Sequence, residues 1–235
     1  MLHLLFSFHA SRFTFHVSCL ILALLLWMTS FASGAIEIES AEFGFDRVYK
    51  RERWVPLQVV VTSQNEAFDG EISVEVNNIF SGERIQTYSV PLSLTRADRQ
   101  RRMLYLFLPG TSAKLILRMM TQDGQVRLSQ EIIPDPPKQA IDLVVLGLTP
   151  SRDLLNRWDG KPMGGKADGQ TFVAYVSSGE HLPTHWKGYD SVDVCVIRGV
   201  SLAEKYVSRQ QQAALLDWVQ RGGTLLISGG SDFYE

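Results

Sequence analysis

The stretch SRQQQAALLDWVQRGGTLLIS, residues 208–228, decides the fold of the second half of the chain. Its apolar residues recur at helical spacing, and Ser208 with Gln211 forms the capping box that starts a helix. Gly222-Gly223 supplies the left-handed residue with which helices commonly end. The short apolar run Thr224–Ser228 is typical of a buried strand. We therefore predict an amphipathic helix that leads directly into a strand.

The same alternation extends towards the N-terminus. Buried strands are predicted at residues 141–146 (IDLVVL), 172–176 and 192–197 (VDVCVI), and a helix at residues 151–158. Strand–helix–strand crossovers are right-handed, so these strands should lie parallel. We predict a flavodoxin-like, doubly wound α/β domain over residues 140–235, with its four strands in the order two, one, three, four.

The segment before it follows a different pattern. Between residues 36 and 133, short β-branched and aromatic runs alternate with turn residues, and EISVEVN at residues 71–77 is apolar at every second position. Seven strands at this spacing predict an immunoglobulin-like β-sandwich. The predicted strands are residues 36–43, 55–62, 71–77, 85–94, 102–108, 114–120 and 125–133. The predicted turns are Asp69-Gly70, Ser81-Gly82, Pro109-Gly110 and Asp123-Gly124.

A proline-rich segment separates the two patterns. The three prolines of PDPPK, residues 134–138, fix φ and lack an amide donor, so the segment can extend neither a sheet nor a helix. We predict a semi-rigid linker at residues 134–139. The chain is thus expected to be multidomain, with a β-sandwich followed by an α/β domain.

Residues 1–35 are predicted to export or anchor the chain. The stretch from Val17 to Met28 (VSCLILALLLWM) is almost wholly apolar, with Arg12 before it and small residues after it, which is the layout of a signal peptide. Left uncut, the same stretch would be a short membrane anchor. Arg12 on the leading side predicts a cytoplasmic N-terminus and an extracytoplasmic, for example periplasmic, location for the remainder.

Composition excludes some classes of function. Lys and Arg total 23 against 25 Asp and Glu, so the chain has no charge excess with which to attract nucleic acid. Its two cysteines are Cys19, inside the predicted leader, and Cys195, so a processed chain would form no internal disulfide. The sequence predicts neither a bound cofactor nor a metal site.

Residues 140–235 resemble the start of a class I glutamine amidotransferase-like domain, which implies a flavodoxin-like fold. The resemblance rests on Tyr189-Asp190 before the strand VDVCVI, on Gln210, Leu215, Trp218 and Val219 in the helix, and on GGTLLISGG at residues 222–230. With the sandwich ahead of it, the chain is similar to bacterial envelope proteins that join a β-sandwich to this domain and often end in a transmembrane helix.

The chain departs from that family at the nucleophile. Active members carry a cysteine in a sharp turn after the fourth strand, with His and Glu partners later in the chain. Here Ile227-Ser228-Gly229-Gly230 occupies the turn, and Cys195 lies within a strand, where a thiol behaves as a small apolar side chain. The sequence ends at Glu235, so we expect the domain to be truncated, as in a fragment, with its last strand poorly covered.

Ligands of doubly wound sheets bind outside the carboxyl ends of the strands, where the strand order reverses. Arg198 is the fixed charge at this position, and it would hold a carboxylate or sugar phosphate, or else form a structural salt bridge. Ser228 is a candidate catalytic nucleophile, or else a serine that caps the next helix. The predicted ligand-binding residues are Gly147, Thr149, Ser177, Arg198, Gly199, Ser228 and Gly229.

Two motifs have the residue spacing of a phosphate-binding loop and of a zinc site, but each has an ordinary structural explanation. GKPMGGK at residues 160–166 has P-loop spacing, but Ala167 replaces the metal-binding hydroxyl and the segment follows a helix, so we interpret it as a surface loop. His181 and His185 have the spacing of a zinc pair on a helix. Pro183 lies between them, so we expect loop residues.

Two further features have two interpretations each. Residues 182–186 (LPTHW) suit a docking loop anchored by Trp186, or a loop with Trp186 in the local core. An arginine cluster is predicted to form a solvated turn, or a contact surface for an acidic partner. Its members are Arg96, Arg99, Arg101 and Arg102.

These features favour a non-catalytic, extracytoplasmic envelope protein that binds a partner protein or a small ligand. The rival hypothesis is a hydrolase or amidotransferase-like enzyme whose remaining catalytic residues lie beyond Glu235. A third is a carbohydrate-binding module, suggested by Trp54 and Tyr88, although Trp54 also suits the core. The expected partners are the membrane, through an uncut leader, and another envelope protein.

Overall fold

The computed structural model describes residues 36–78, 84–108, 113–163, 168–203 and 205–228. The predicted leader, the turns at Ser81-Gly82 and Pro109-Gly110, and Gly229-Gly230 lie outside these residues. The first part contains β1 Ile36–Phe43, β2 Trp54–Ser63, β3 Phe68–Asn78, β4 Arg84–Leu94, β5 Asp98–Phe107, β6 Ala113–Thr121 and β7 Val126–Ile132. The second part contains β8 Leu143–Leu148, α1 Asp153–Asn156, β9 Thr171–Tyr175, the 3₁₀ turns Gly179–His181 and Trp186–Tyr189, β10 Val194–Arg198, α2 Arg209–Gln220 and β11 Thr224–Ser228.

The seven strands of the first part form two antiparallel sheets. One sheet has the order β1-β2-β5 and the other the order β4-β3-β6-β7. Because side chains alternate along each strand, Val59 and Leu104 of one sheet and Val74 and Leu117 of the other enter one common core. All seven predicted strands are present, with ends that shift by a few residues.

The predicted turn at Asp69-Gly70 is wrong, because both residues lie inside β3. Gly70 pairs with Leu92 on one side and Thr121 on the other. A Cβ at this position would lie 2.0 Å from the carbonyl oxygen of Met120, so the glycine permits the close approach of β6. The predicted turn at Asp123-Gly124 is present, with Gly124 at a φ of +82°.

The four strands of the second part form a parallel sheet in the order β11-β10-β8-β9. This is the predicted order. The predicted helix at residues 151–158 is shorter, since α1 spans only Asp153–Asn156. Arg152 gives it no side-chain cap, and Gly160 at a φ of +68° turns the chain back towards β9.

The predicted amphipathic helix is present as α2. Ser208 caps it, and the reciprocal contacts of the capping box with Gln211 are both formed. Leu215 and Trp218 pack on the face of the parallel sheet that carries Leu146. The edge strand β11 is less well covered, because Leu226 and Ile227 are 51% and 53% exposed.

The two parts are packed against each other through the loop between β1 and β2. Phe45 of this loop is buried in the core of the α/β part, where its ring lies 6.3 Å from that of Tyr189. The predicted linker is tied to the same loop, because the Lys138 amide donates to the Tyr49 carbonyl at 2.7 Å. Among the described residues, no helix is long and apolar enough to cross a membrane.

Candidate functional site

The strand ends predicted to bind a ligand meet at one edge of the parallel sheet. Arg198 ends β10 and pairs in register with Ser228 of β11, while Thr149 follows β8 beside them. Ser177 follows β9 on the far side of β8. The predicted set therefore shares one edge, except for Gly229, which lies outside the described residues.

Several members of this set have structural roles. The Thr149 hydroxyl donates to the Ser151 carbonyl at 2.7 Å, within its own loop. A Cβ on Gly147 would lie 2.7 Å from a Leu155 methyl, so this glycine serves helix packing. Gly199 has a φ of +61° and lies against Pro150. Arg198 is exposed and forms no ion pair with a described residue, so the structural salt bridge considered for it is not formed there.

Neither the Cys195 thiol nor the candidate nucleophile Ser228 is activated by a described residue. Cys195 is fully buried, and burial raises the pKa of its thiol to about 12, so the thiol stays neutral at physiological pH. Ser228 is exposed at the end of the edge strand, and no described histidine contacts its hydroxyl. Cys195 is thus the small apolar side chain that the sequence predicts.

A different serine has a histidine partner. Ser177 Oγ lies 3.0 Å from Nδ1 of His181, and His181 Nε2 lies 3.2 Å from Oε1 of Glu180. The Glu180 contact favours hydrogen at Nε2, which leaves Nδ1 free to accept the Ser177 proton. Burial, then the charge of Arg101, lowers the pKa of His181, so the ring is neutral near pH 7. Sequence reasoning placed Ser177 at this edge but did not pair it with His181.

His181 and His185 do not share a metal site. His185 contacts the rings of Tyr105 and Trp186 instead, and its Nδ1 accepts from the Lys187 amide at 3.2 Å. In the parts of the chain that the structure describes, no cluster of three His, Cys, Asp or Glu residues could hold a metal ion.

The described part of the P-loop-like segment is a turn against β9. The Gly160 amide donates to the Thr171 carbonyl at 2.8 Å, and the Met163 amide donates to the Gly169 carbonyl at 2.9 Å. Because both amides already donate to backbone carbonyls of the same chain, they are not free to hold phosphate. Residues 164–166 lie outside the described residues.

A groove of about 570 Å³ lies between the sandwich and the α/β part. Trp54 of β2, residues 87–90 of β4 and residues 103–105 of β5 line its sandwich side. Thr184, His185 and Lys187 line the other side. The groove is thus built from both parts of the chain, and none of the described residues that line it is acidic.

Aromatic and polar contacts fix the walls of the groove. The Tyr105 hydroxyl accepts from the Thr184 amide at 2.9 Å, which ties β5 to the α/β part. The Lys187 ammonium lies 3.6 Å from the centre of the Trp54 ring, and Trp54 meets Tyr88 in a T-shaped contact. Trp54 therefore lies half-buried at the groove and not in the sandwich core.

Residues 182–186 pack against the sandwich of the same chain, where Thr184 and His185 contact Tyr105. Trp186 is half-buried beside the α/β core, with the Arg221 guanidinium 4.1 Å from its ring centre, so it is the local core residue of the two interpretations. Gln211 fixes the start of this segment and the turn that precedes it. Its side-chain amide donates to the carbonyls of Gly179, Glu180 and Leu182 at 3.1, 3.1 and 2.8 Å.

One feature of the sequence, outside the motifs considered above, does indicate this groove. Alternation along β2 and β5 directs Trp54 and Tyr105 away from the sandwich core. Large aromatic side chains on the outer face of a sheet indicate that another part of the protein covers that face. Which part covers it depends on contacts between distant segments, and no local pattern shows them.

A family model described as a domain of unknown function, DUF8726, matches residues 35–134. This range coincides with the two antiparallel sheets. A comparison with curated proteins finds no match.

Among solved structures, the chain is similar to the C-terminal domain of wzt, with 12% identity, a TM-score of 0.33, and coverage of 42% of this chain and 70% of that one. The first C2 domain of human synaptotagmin XIII gives 13% identity, a TM-score of 0.33, and coverage of 43% and 76%. A glycosyl hydrolase family 2 member from Bacteroides cellulosilyticus DSM 14838 gives 12% identity and a TM-score of 0.33; the match covers 85% of this chain but 28% of that one. All three likenesses are weak, and none bears on the function of this chain.

Proposed function

We propose that the protein is a non-catalytic, extracytoplasmic envelope protein whose ligand site is the groove between its two parts. The observation that carries this proposal is the groove itself, since its volume of about 570 Å³ is within the range of ligand sites. Two parts of the chain supply its walls, and interfaces between domains are preferred positions for such sites. Lys187 provides the charged group that would orient a ligand.

The domain assignments belong to the same proposal. We propose an immunoglobulin-like sandwich followed by a flavodoxin-like domain related to class I glutamine amidotransferases. The strand order β9-β8-β10-β11 supports the second assignment, and Ser228 at the family's cysteine position supports a binding role rather than glutamine hydrolysis. The apolar leader supports the extracytoplasmic location.

A ligand screen tests the proposal. Thermal shift of the purified full chain is measured with sugars, carboxylates and short peptides, and each hit is titrated calorimetrically against two variants. Ser89→Trp places an indole in the groove, and Ser93→Trp places the same group on the same strand outside it. A hit that loses affinity about tenfold or more in Ser89→Trp alone binds in the groove.

The same hits decide between the groove and the strand-end site. A ligand held by Arg198 would lose its affinity in Arg198→Ala and keep it in Ser89→Trp. That outcome would contradict the groove and support the strand-end site. Binding that is unchanged in both Ser89→Trp and Arg198→Ala would contradict both the groove and the strand-end site.

Carbohydrate binding is the third form of this function, because Trp54 and Tyr88 both line the groove. One face of Trp54 is covered by the Lys187 ammonium, which leaves less aromatic surface on which a sugar ring can stack. If a carbohydrate nevertheless stacks on Trp54, retention on a polysaccharide column should fall in Trp54→Ala. Retention that survives this change would leave the carbohydrate site without its anchor.

A hydrolase is the second candidate function, and the Ser177–His181–Glu180 chain of contacts favours it. Ser177 Oγ would attack an acyl carbonyl carbon while His181 Nδ1 takes the hydroxyl proton and returns it to the leaving group. Water would then hydrolyse the acyl-enzyme. A fluorophosphonate probe should label the chain and lose its site in Ser177→Ala but not in Ser178→Ala. No labelling of the wild-type chain would remove this candidate.

A further inference from the structure

The groove is bounded by two strand edges that are not paired with each other. Within the described sheets, β4 is an edge strand next to β3, and β5 is an edge strand next to β2. Backbone groups at such edges have no strand partner and need another source of hydrogen bonds. The hydrogen bonds that β4 and β5 form near the groove show in which direction their backbone N–H and C=O groups point.

On β4, alternate residues point away from β3. The Pro91 carbonyl accepts from Arg102 Nε at 3.2 Å, and the Ser93 carbonyl accepts from Gln100 Nε2 at 2.7 Å, so both residues face β5. Pairing with β3 is regular between Phe68 and Val76. Since backbone direction alternates along a strand, the N–H and C=O groups of Thr87 and Ser89 also point away from β3, into the groove.

The edge of β5 has the same property. The Phe107 amide donates to the Tyr88 hydroxyl at 3.2 Å, so Phe107 points away from β2. Pairing with β2 is regular along the whole of β5. Met103 and Tyr105 therefore direct their backbone groups into the groove as well. Side-chain bridges thus close the space between β4 and β5 at both ends and leave the edges open between them.

We propose that this opening receives an extended acidic peptide segment of a partner protein as an added β-strand. The inference rests on the proposed function, because it names the ligand of the same groove. Residues 87–90 offer an edge of roughly 13 Å, which matches about four extended residues. A peptide backbone supplies both the donors and the acceptors that the two edges need, whereas a sugar supplies hydroxyls without this repeat.

The positive charge at the groove favours an acidic peptide over a basic one. Lys187 is half-buried on the wall of the groove opposite β4, and Arg102 stands at its closed end. No acidic side chain of the described residues lines the groove. Acidic residues at alternate positions of the peptide would face Lys187, and basic residues there would be repelled.

The test measures binding of the fluorescein-labelled peptide TVEVEVT to the full chain by anisotropy. Replacing its glutamates by lysines should weaken binding about tenfold or more, and N-methylation of its four central amides should do the same. Lys187→Glu should reverse the preference between the acidic and basic peptides. Lys161→Glu, an equal charge change on an exposed residue outside the groove, should not.

The outcomes separate this inference from the proposed function. Tight binding that depends on charge, backbone amides and Ser89 supports both. A sugar or other small ligand that binds in a Ser89-dependent way, with no peptide binding up to about 1 mM, overturns the inference and leaves the groove as the ligand site. Peptide binding that N-methylation does not weaken overturns strand addition. No binding of any kind overturns both.

Discussion

The Lys50 ammonium lies 2.7 Å from Oδ2 of Asp193 and joins the two parts of the chain. The Lys50 side chain is 7% exposed, and Asp193 also accepts from the Val144 amide at 2.7 Å, at the start of the parallel sheet. The sandwich loop and the α/β part therefore share one charge pair, in which the ammonium is buried and the carboxylate is 37% exposed. Lys50 further donates to the Ala140 carbonyl at 3.4 Å, beside the predicted linker.

Removing either partner of this pair should destabilise the chain unequally. Asp193→Ala leaves the buried ammonium without a counter-charge, so the free energy of unfolding should fall by about 3–5 kcal/mol. Lys50→Met leaves a carboxylate that water still reaches, and the loss should be about 1.5–3 kcal/mol. Urea denaturation measures both. Lys114→Met removes a surface pair with Glu131 and should cost at most about 1 kcal/mol; equal losses in all three variants would contradict a special role for Lys50.

Gln211→Leu should destabilise the contact between α2 and residues 179–182. The change removes the reciprocal capping bond and leaves the buried carbonyls of Gly179 and Leu182, and the part-buried carbonyl of Glu180, without their donor, so we expect a loss of about 2–3 kcal/mol. Gln210→Leu, on the exposed side of the same turn, is the matched control. Thermal unfolding should separate the two variants by several degrees, and similar midpoints would mean that the carbonyls find other partners.

Gly70→Ala should destabilise the sandwich. Its Cβ would overlap the Met120 carbonyl, which is backbone and can move only by opening the β3–β6 ladder, so the cost should exceed about 1 kcal/mol. Gly124→Ala is the informative comparison, because open space surrounds that Cβ and the cost comes only from a positive φ. Denaturant midpoints measure both, and a neutral Gly70→Ala would contradict the close approach of β6.

Cys195 should resist thiol reagents in the folded chain. Burial raises the pKa of its thiol to about 12 and closes access to it. In a Cys19→Ser background, where Cys195 is the remaining cysteine of the chain, a disulfide reagent at pH 8 should react only after urea is added. Fast reaction without urea would mean that β10 opens readily.

Stability should fall as the pH drops below about 6.5. Burial is the main cause that lowers the pKa of both His181 and His185 in the folded state. In this pH range the unfolded chain binds more protons than the folded chain, so protonation favours unfolding, and the stabilisation is complete above about pH 6.5. Thermal midpoints measured across this range should flatten in His181→Gln/His185→Gln. A wild-type midpoint independent of pH would contradict the lowered pKa values.

Local chemistry explains why much of the fold could be predicted. Apolar alternation marks the strands of the sandwich, because one side of each strand must face the core. Ser208, Gln211 and Gly222 mark the ends of α2, because unpaired backbone groups at helix ends need these residues. The handedness of crossovers then restricts the order of the parallel strands. Each of these rules depends only on a few neighbouring residues or on the handedness of the chain, so it can be applied without the tertiary structure.

The sequence by itself therefore determined the two classes of sheet, the position of α2 and the neutral, buried character of Cys195. Only the tertiary structure decided that Gly70 allows a close strand contact, that Lys50 reaches Asp193 and that Ser177 meets His181. It also decided that β4, β5 and Lys187 enclose one groove. The local sequence of the paired segments does not distinguish them from other apolar or polar segments of the chain. Their pairing is therefore settled by which surfaces bury each other when the two parts pack.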